Sequence, residues 1–143
     1  MKTSARNQYA GTIQDIETGP FTTAVTLRIA GGHAISATLT TSSAKRMNLR
    51  PGMDALALIK ASSVVLVTDS AGYVLSARNQ LAGTVARVER GAVSTVVALA
   101  LPGGETVTAT VTNDAVDALG LHLGQDATAI FKAYQVFVAV KTA

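Results

Sequence analysis

Residues Ser4-Ala5-Arg6-Asn7-Gln8 recur unchanged as Ser76-Ala77-Arg78-Asn79-Gln80, and the offset of 72 residues holds without a gap along the whole chain. Laying residues 1–71 over 73–143 makes 27 of the 71 pairs identical. Gly11 falls on Gly83, Gly19 on Gly91, Gly31-Gly32 on Gly103-Gly104, Gly52 on Gly124 and Lys60-Ala61 on Lys132-Ala133. Substitutions between these anchors keep character, as in Ile13/Val85, Ile35/Val107 and Leu58/Ile130. One small module is written twice, so whatever it does is expected to use repeated, symmetry-related surfaces.

The duplication divides the chain into two expected domains, residues 1–71 and 72–143. Units of that size bury only about 60% of their unfolded surface and are marginal alone. The halves are therefore expected to pack together and to associate with other chains. With 48% hydrophobic residues, no Trp and 4% aromatics, the core has to be built from Val, Ile, Leu and Ala. There is no cysteine, which excludes disulfides and thiolate chemistry and is compatible with a reducing compartment. Met1-Lys2-Thr3 leads directly into the first repeat, leaving no room for a signal peptide. The longest apolar runs, such as Ser63–Val67 and Val136–Val140, are strand-sized and too short to span a bilayer. These features predict a soluble, cytoplasmic protein with no membrane partner.

Each repeat reads as β-rich with one short helix. Residues 8–17 alternate loosely through Tyr9, Gly11, Ile13 and Asp15, with Ile16 breaking phase. A turn at Thr18-Gly19-Pro20 precedes a strand over Phe21–Ile29. Gly31-Gly32 marks a hairpin, because paired glycines supply positive φ angles, and His33–Thr40 is the return strand. A helix over 41–49 begins at hydroxyl caps and stops at Arg50-Pro51-Gly52. Strands at Asp54–Lys60 and Ser63–Val67 follow, and 68–72 is a polar linker. The second half repeats the plan: a strand to Val88, strands over Val93–Leu101 and Glu105–Thr112, a helix over 113–121, and strands at Ala127–Lys132 and Val136–Val140. Five strands with a short helix between the third and fourth predict an all-β fold of two tandem five-stranded barrels of the oligonucleotide/oligosaccharide-binding (OB) type. A β-sandwich fits the same strand count.

Catalysis finds little to work with. His33 and His122 do not occupy equivalent repeat positions, no His/Asp/Glu cluster has metal-ligand spacing, and the glycine pairs lack the strand–loop–helix setting of a phosphate cradle. Neither catalytic residues nor direct metal-cation ligands are expected. A net charge of +3, spread along the chain, does not make the basic stripe of a duplex binder. Three Phe and three Tyr are few for base stacking, so no nucleic-acid partner is expected. Two carboxylates recur, Glu17/Glu89 and Asp54/Asp126, at or beside turns where they read as solvated charges or turn caps; apart from these the copies share a set of donors: Ser4/Ser76, Arg6/Arg78, Asn7/Asn79, Thr40/Thr112 and Lys60/Lys132. It holds cations and hydroxyls and no carboxylate, which suits a fully deprotonated tetrahedral oxyanion such as molybdate, tungstate or sulfate. The same residues also read as strand caps and solvated strand ends.

The combined pattern of Ser-Ala-Arg-Asn-Gln, Gly-Thr-Ile/Val, Gly-Gly before a strand, a Leu/Val-Thr step into a short helix, Leu-x-x-Gly and Ile/Phe-Lys-Ala resembles the Mop domain of the molbindins over residues 2–67 and 74–140. The resemblance implies a duplicated Mop domain that binds molybdate or tungstate in the cytoplasm for storage and buffering. It implies homotrimers carrying six domains, with oxyanions held between domains by main-chain N–H groups and a few side chains. Carried over by position, one face of a site comes from Ser4, Arg6 and Asn7, or from Ser76, Arg78 and Asn79. The opposing face comes from Thr40, Ser43, Lys60, Ala61 and Ser62, or from Thr112, Lys132 and Ala133. The second copy departs at Ala115 for Ser43 and Tyr134 for Ser62, so its Thr–Lys face is expected to bind more weakly. The loop after Gly19 and Gly91 also departs: the family's Asn becomes Thr22 or Ser94, and its Glu becomes Ala24 or Val96. Mop domains also occur fused to DNA-binding regulators and transporter ATPases, whose helix-turn-helix and Walker motifs have no counterpart here. The alternatives are an oxyanion-responsive module that docks a regulator or transporter, and a single-stranded nucleic-acid binder.

Overall fold

The computed structural model describes residues 1–142. The first repeat supplies β1 (Asn7–Thr18), β2 (Thr22–Ile29), β3 (Ala34–Thr40), α1 (Thr41–Arg46), β4 (Asp54–Ile59) and the short β5 (Val65–Val67). The second supplies β6 (Asn79–Arg90), β7 (Ser94–Ala100), β8 (Thr106–Thr112), α2 (Asn113–Leu119), β9 (Asp126–Phe131) and β10 (Phe137–Ala139). The order is the expected one. The start of the expected Ser63–Val67 strand is instead a 3-10 turn at Ala61–Ser63, and its counterpart is Ala133–Gln135.

The broken phase at Ile16 has a structural cause. Along the β1–β2 ladder Ile13 pairs with Leu27 and Asp15 with Thr26, so the register slips by one residue at a bulge. The same slip recurs between Val85 and Arg87 on β6. An extra residue turns every later side chain to the other face and bends the strand, which lets a 12-residue strand serve β4 at one end and β2 at the other. Gly11 sits at the crossing. A Cβ there would lie 2.5 Å from the Arg28 carbonyl oxygen, and one at Gly83 would lie 2.5 Å from that of Ala100.

The two antiparallel sheets do not respect the repeat boundary. Their strand orders are β10-β4-β1-β2-β3 and β5-β9-β6-β7-β8, so each half-barrel takes its fifth strand from the other repeat. Phe137 pairs with Leu58, and Val65 pairs with Ile130. The 3-10 turn after Lys60 aims the chain away from its own sheet, and Val64 and Leu66, both buried, anchor it in the shared interior. The edge between β3 and β10 is bridged by residues 133–135, which pack on β3, while 61–63 pack on β8.

One continuous apolar cluster runs through both halves, from Ile13, Leu27 and Ile35 to Leu99, Val107 and Phe131. It is aliphatic apart from Tyr9 and Phe131, as the composition required. The hairpins at Gly31-Gly32 and Gly103-Gly104 meet where the halves cross, and a Cβ on Gly103 would stand 2.7 Å from Gly31 Cα. All four glycines have positive φ. His33 Nε2 lies 2.6 Å from the Pro102 carbonyl oxygen across this contact.

Candidate functional site

Both Ser-Ala-Arg segments end where a long strand begins. Asn7 pairs with Ile59, which brings Arg6 beside Lys60 at one end of the first sheet. Asn79 pairs with Phe131, which brings Arg78 beside Lys132 in the second. All four cations are exposed, and none forms an ion pair among the described residues. Ser4 and Ser76 are exposed alongside them, while Ala61 and Ala133 are buried under the 3-10 turns. Each sheet thus carries an unneutralised Arg–Lys corner at a strand end.

The second corner opens on a cleft of about 930 Å³ between the half-barrels. Ser76, Arg78, Lys132 and Ala133 line one side, and Thr18, Thr22 and Thr38 of the first repeat line the other. Ser62 and Ser63 border the same cleft, carried there on the exchanged β5. Sequence position placed Ser62 with Lys60. It stays in the turn after Lys60, whose carbonyl accepts from the Ser63 N–H at 3.0 Å, and the exchanged strand also sets it and Ser63 on the cleft that Arg78 and Lys132 line. Tyr134, 72% exposed, stands at the lip, and Glu17 is the one carboxylate in the lining.

Asn7 and Asn79 have a different duty. They are 2% and 1% exposed, and each spends both ends of its amide on the opposite repeat. Asn7 Nδ2 donates to the Thr108 carbonyl at 2.8 Å and its Oδ1 accepts from the Thr108 N–H at 2.8 Å. Asn79 does the same to Ser36, at 2.9 and 2.8 Å. The side chains pin the two half-barrels together. The signal was present: Asn7 lies in phase with Tyr9 and Ile13, on the face that is buried.

Thr40 and Thr112 cap the helices. Thr40 Oγ1 accepts from the Ser43 N–H at 3.1 Å and donates to Ser43 Oγ at 2.9 Å. Thr112 Oγ1 accepts from the Ala115 N–H at 3.1 Å and has no companion hydroxyl there. These residues lie outside the cleft lining, so one chain does not bring them to that Arg–Lys corner. The second helix has a tie the first lacks: Arg90 grips Asp117 through both terminal guanidinium nitrogens, at 2.8 and 3.1 Å, where the first repeat has Thr18 and Lys45. That bond and the guanidinium charge hold the Asp117 carboxyl below its ordinary value, and the same bond and the Asp117 charge push Arg90 up.

His33 and His122 each contact a backbone carbonyl, and no group of three or more His, Cys, Asp or Glu among the described residues could hold a metal ion. No helix among them is long and apolar enough to cross a membrane.

A TOBE-domain model matches residues 3–66 and again 75–138. The chain superposes on a solved structure of the cytoplasmic molybdate-binding protein ModG, with molybdate bound, at a TM-score of 0.95 and 44% identity, covering 99% of this chain and 100% of that one. It is 65% identical over 141 residues to the molybdenum transport protein ModE of Herbaspirillum seropedicae, covering 99% of this chain and 52% of that relative. It is 40% identical over 140 residues to the molybdenum-pterin-binding protein MopA of Rhodobacter capsulatus, covering 98% of this chain and 53% of that one. The chain spans about half the length of the curated relatives it matches.

Proposed function

The chain belongs to the TOBE-domain family, and on that premise we propose that it binds molybdate or tungstate without transforming it, at its Arg–Lys corners. The observation that carries this reading is the convergence of Ser76, Arg78 and Lys132 on one cleft with no ion pair to either cation among the described residues. A dianion with four acceptor oxygens matches a corner built of donors, and charge-assisted hydrogen bonds are roughly twice as strong as neutral ones. The molybdate bound to ModG supports the same ligand class. The first-repeat corner uses Ser4, Arg6, Lys60 and the Ala61 N–H, and the second uses Ser76, Arg78, Lys132 and the Ala133 N–H.

In the assembled protein, three chains bring six domains together, and Thr40 and Ser43, or Thr112, of a neighbouring domain close each corner. Exposed Phe21 and Val93, 83% and 81% accessible at equivalent hairpins, are apolar surface for that association. The protein stores and buffers the anion in the cytoplasm, since sites closed by neighbours release their ligand when free anion falls. A second reading, an oxyanion-responsive part of a regulator, is favoured by the relatives about twice its length. One of these is the DNA-binding transcriptional dual regulator ModE of Escherichia coli, 37% identical over 140 residues.

Calorimetric titration with molybdate, tungstate, sulfate and phosphate, with mass by light scattering, separates these. Storage requires heat with molybdate at micromolar concentration and more than one anion per chain on a trimer. Silence with molybdate ends the binding reading, and binding by a lone chain that then recruits DNA or a regulator favours the second.

A further inference from the structure

We propose that the oxyanion corner at Lys132 is of mixed parentage: Ser62 and Ser63 of the first repeat donate to the same anion as Ser76, Arg78 and Lys132 of the second. The proposal rests on the binding reading above and assigns its partners. Three observations carry it. Val65 pairs with Ile130 antiparallel, so running back along β5 toward Ser63 runs forward along β9 toward Lys132. The 3-10 turn of 61–63 packs on β8, a strand of the second repeat. Ser62, Ser63, Ser76, Arg78 and Lys132 line one cleft. The Ser62 side chain is exposed and forms no hydrogen bond within the described residues, and Ser63 engages only through its main-chain N–H, to the Lys60 carbonyl. Two uncommitted hydroxyls therefore stand at a corner that already holds two uncommitted cations.

The repeat makes the other corner unequal. Phe137 pairs with Leu58 in the register that Val65 keeps with Ile130, so the exchanged strand that reaches the Lys60 side is preceded by Tyr134 and Gln135. The hydroxyl pair borders the second repeat's cations, whereas the residues at the equivalent positions, Tyr134 and Gln135, bring no such pair to the first's: both line the Lys132 cleft as well, and Gln135 Oε1 accepts from the Lys132 N–H at 3.2 Å. By this path the Lys132 corner is the one strengthened, opposite to the order expected from sequence position.

A double-mutant cycle read by molybdate calorimetry on the full chain tests the assignment. S62A/S63A is expected to weaken one class of site by at least about tenfold, because each lost hydroxyl donates to a charged acceptor. That loss disappears in a K132A background and persists undiminished in K60A. Single S62A, at an exposed position, gives a smaller loss with the same dependence, and unchanged thermal melting confirms that it folds. A loss that vanishes in K60A and survives in K132A overturns the proposal, as does full-strength binding by S62A/S63A. Absence of heat in the unsubstituted protein would remove the binding reading itself, a failure distinct from either of those.

Discussion

Asn79 donates to and accepts from Ser36 of the other repeat while 1% exposed. Asn79→Ala would leave a carbonyl and an N–H without partners at a part-buried contact. At about 1–2 kcal/mol for each lost bond, N79A is expected to cost about 2–4 kcal/mol, read as a lower urea midpoint with unchanged slope. R78A should leave the midpoint nearly unmoved, because its side chain is exposed and forms no ion pair among the described residues. Tyr9 gives a pH signature. Its phenol donates to the Thr106 carbonyl at 2.7 Å, and burial first, then the Glu105 charge, push it well above its ordinary value of 10.0. The folded state therefore keeps a proton that the unfolded chain gives up near that ordinary value. This contribution is complete below about pH 10 and is lost as pH rises beyond it. Y9F is expected to flatten the alkaline fall in melting temperature relative to the native chain, and identical profiles would exclude this role. At this scale one role went unread in the sequence: Asn7 and Asn79 pin the repeats together, as their phase with Tyr9 and Ile13 already indicated.

Strand order and type were legible because periodicity reports which face of an element is buried. Even the bulges left a mark, in the misplaced Ile16 and Val88. Periodicity does not report which strand lies alongside, so the exchange of β5 and β10 was invisible, and with it the cleft that Ser62 borders. Glycine was the most informative element signal. Gly103 and Gly104 have φ of 94° and 104°, but only Gly103 meets the opposing hairpin, with a would-be Cβ 2.7 Å from Gly31 Cα. G104A adds a side chain in open space and costs backbone strain alone, about 1–3 kcal/mol. G103A adds a clash between main chains to the same strain, so its melting temperature is expected to fall further than that of G104A. Equal falls would mean that the hairpins can part freely.

At the scale of the whole molecule, the repeats are held by an apolar cluster common to both, by the two asparagine pins and by the exchanged strands. The linker adds little: residues 69–74 are exposed, and Ala71 and Gly72 both have positive φ. A protease site placed there should, once cut, give two fragments that still migrate as one species by size exclusion and melt as one transition. Fragments that separate without denaturant would show that the covalent link does the holding.

The exchanged strand also changes what the duplication amounts to. A half-barrel that lacks its fifth strand and lends one of its own cannot finish itself, so two unlinked copies would already have clasped each other as an identical pair. Joining them end to end adds no contact to such a pair. It frees the two copies to become different, so that a serine can be kept on one side and a tyrosine on the other, and a pair bound to symmetry becomes a single gene product with two tunable ends.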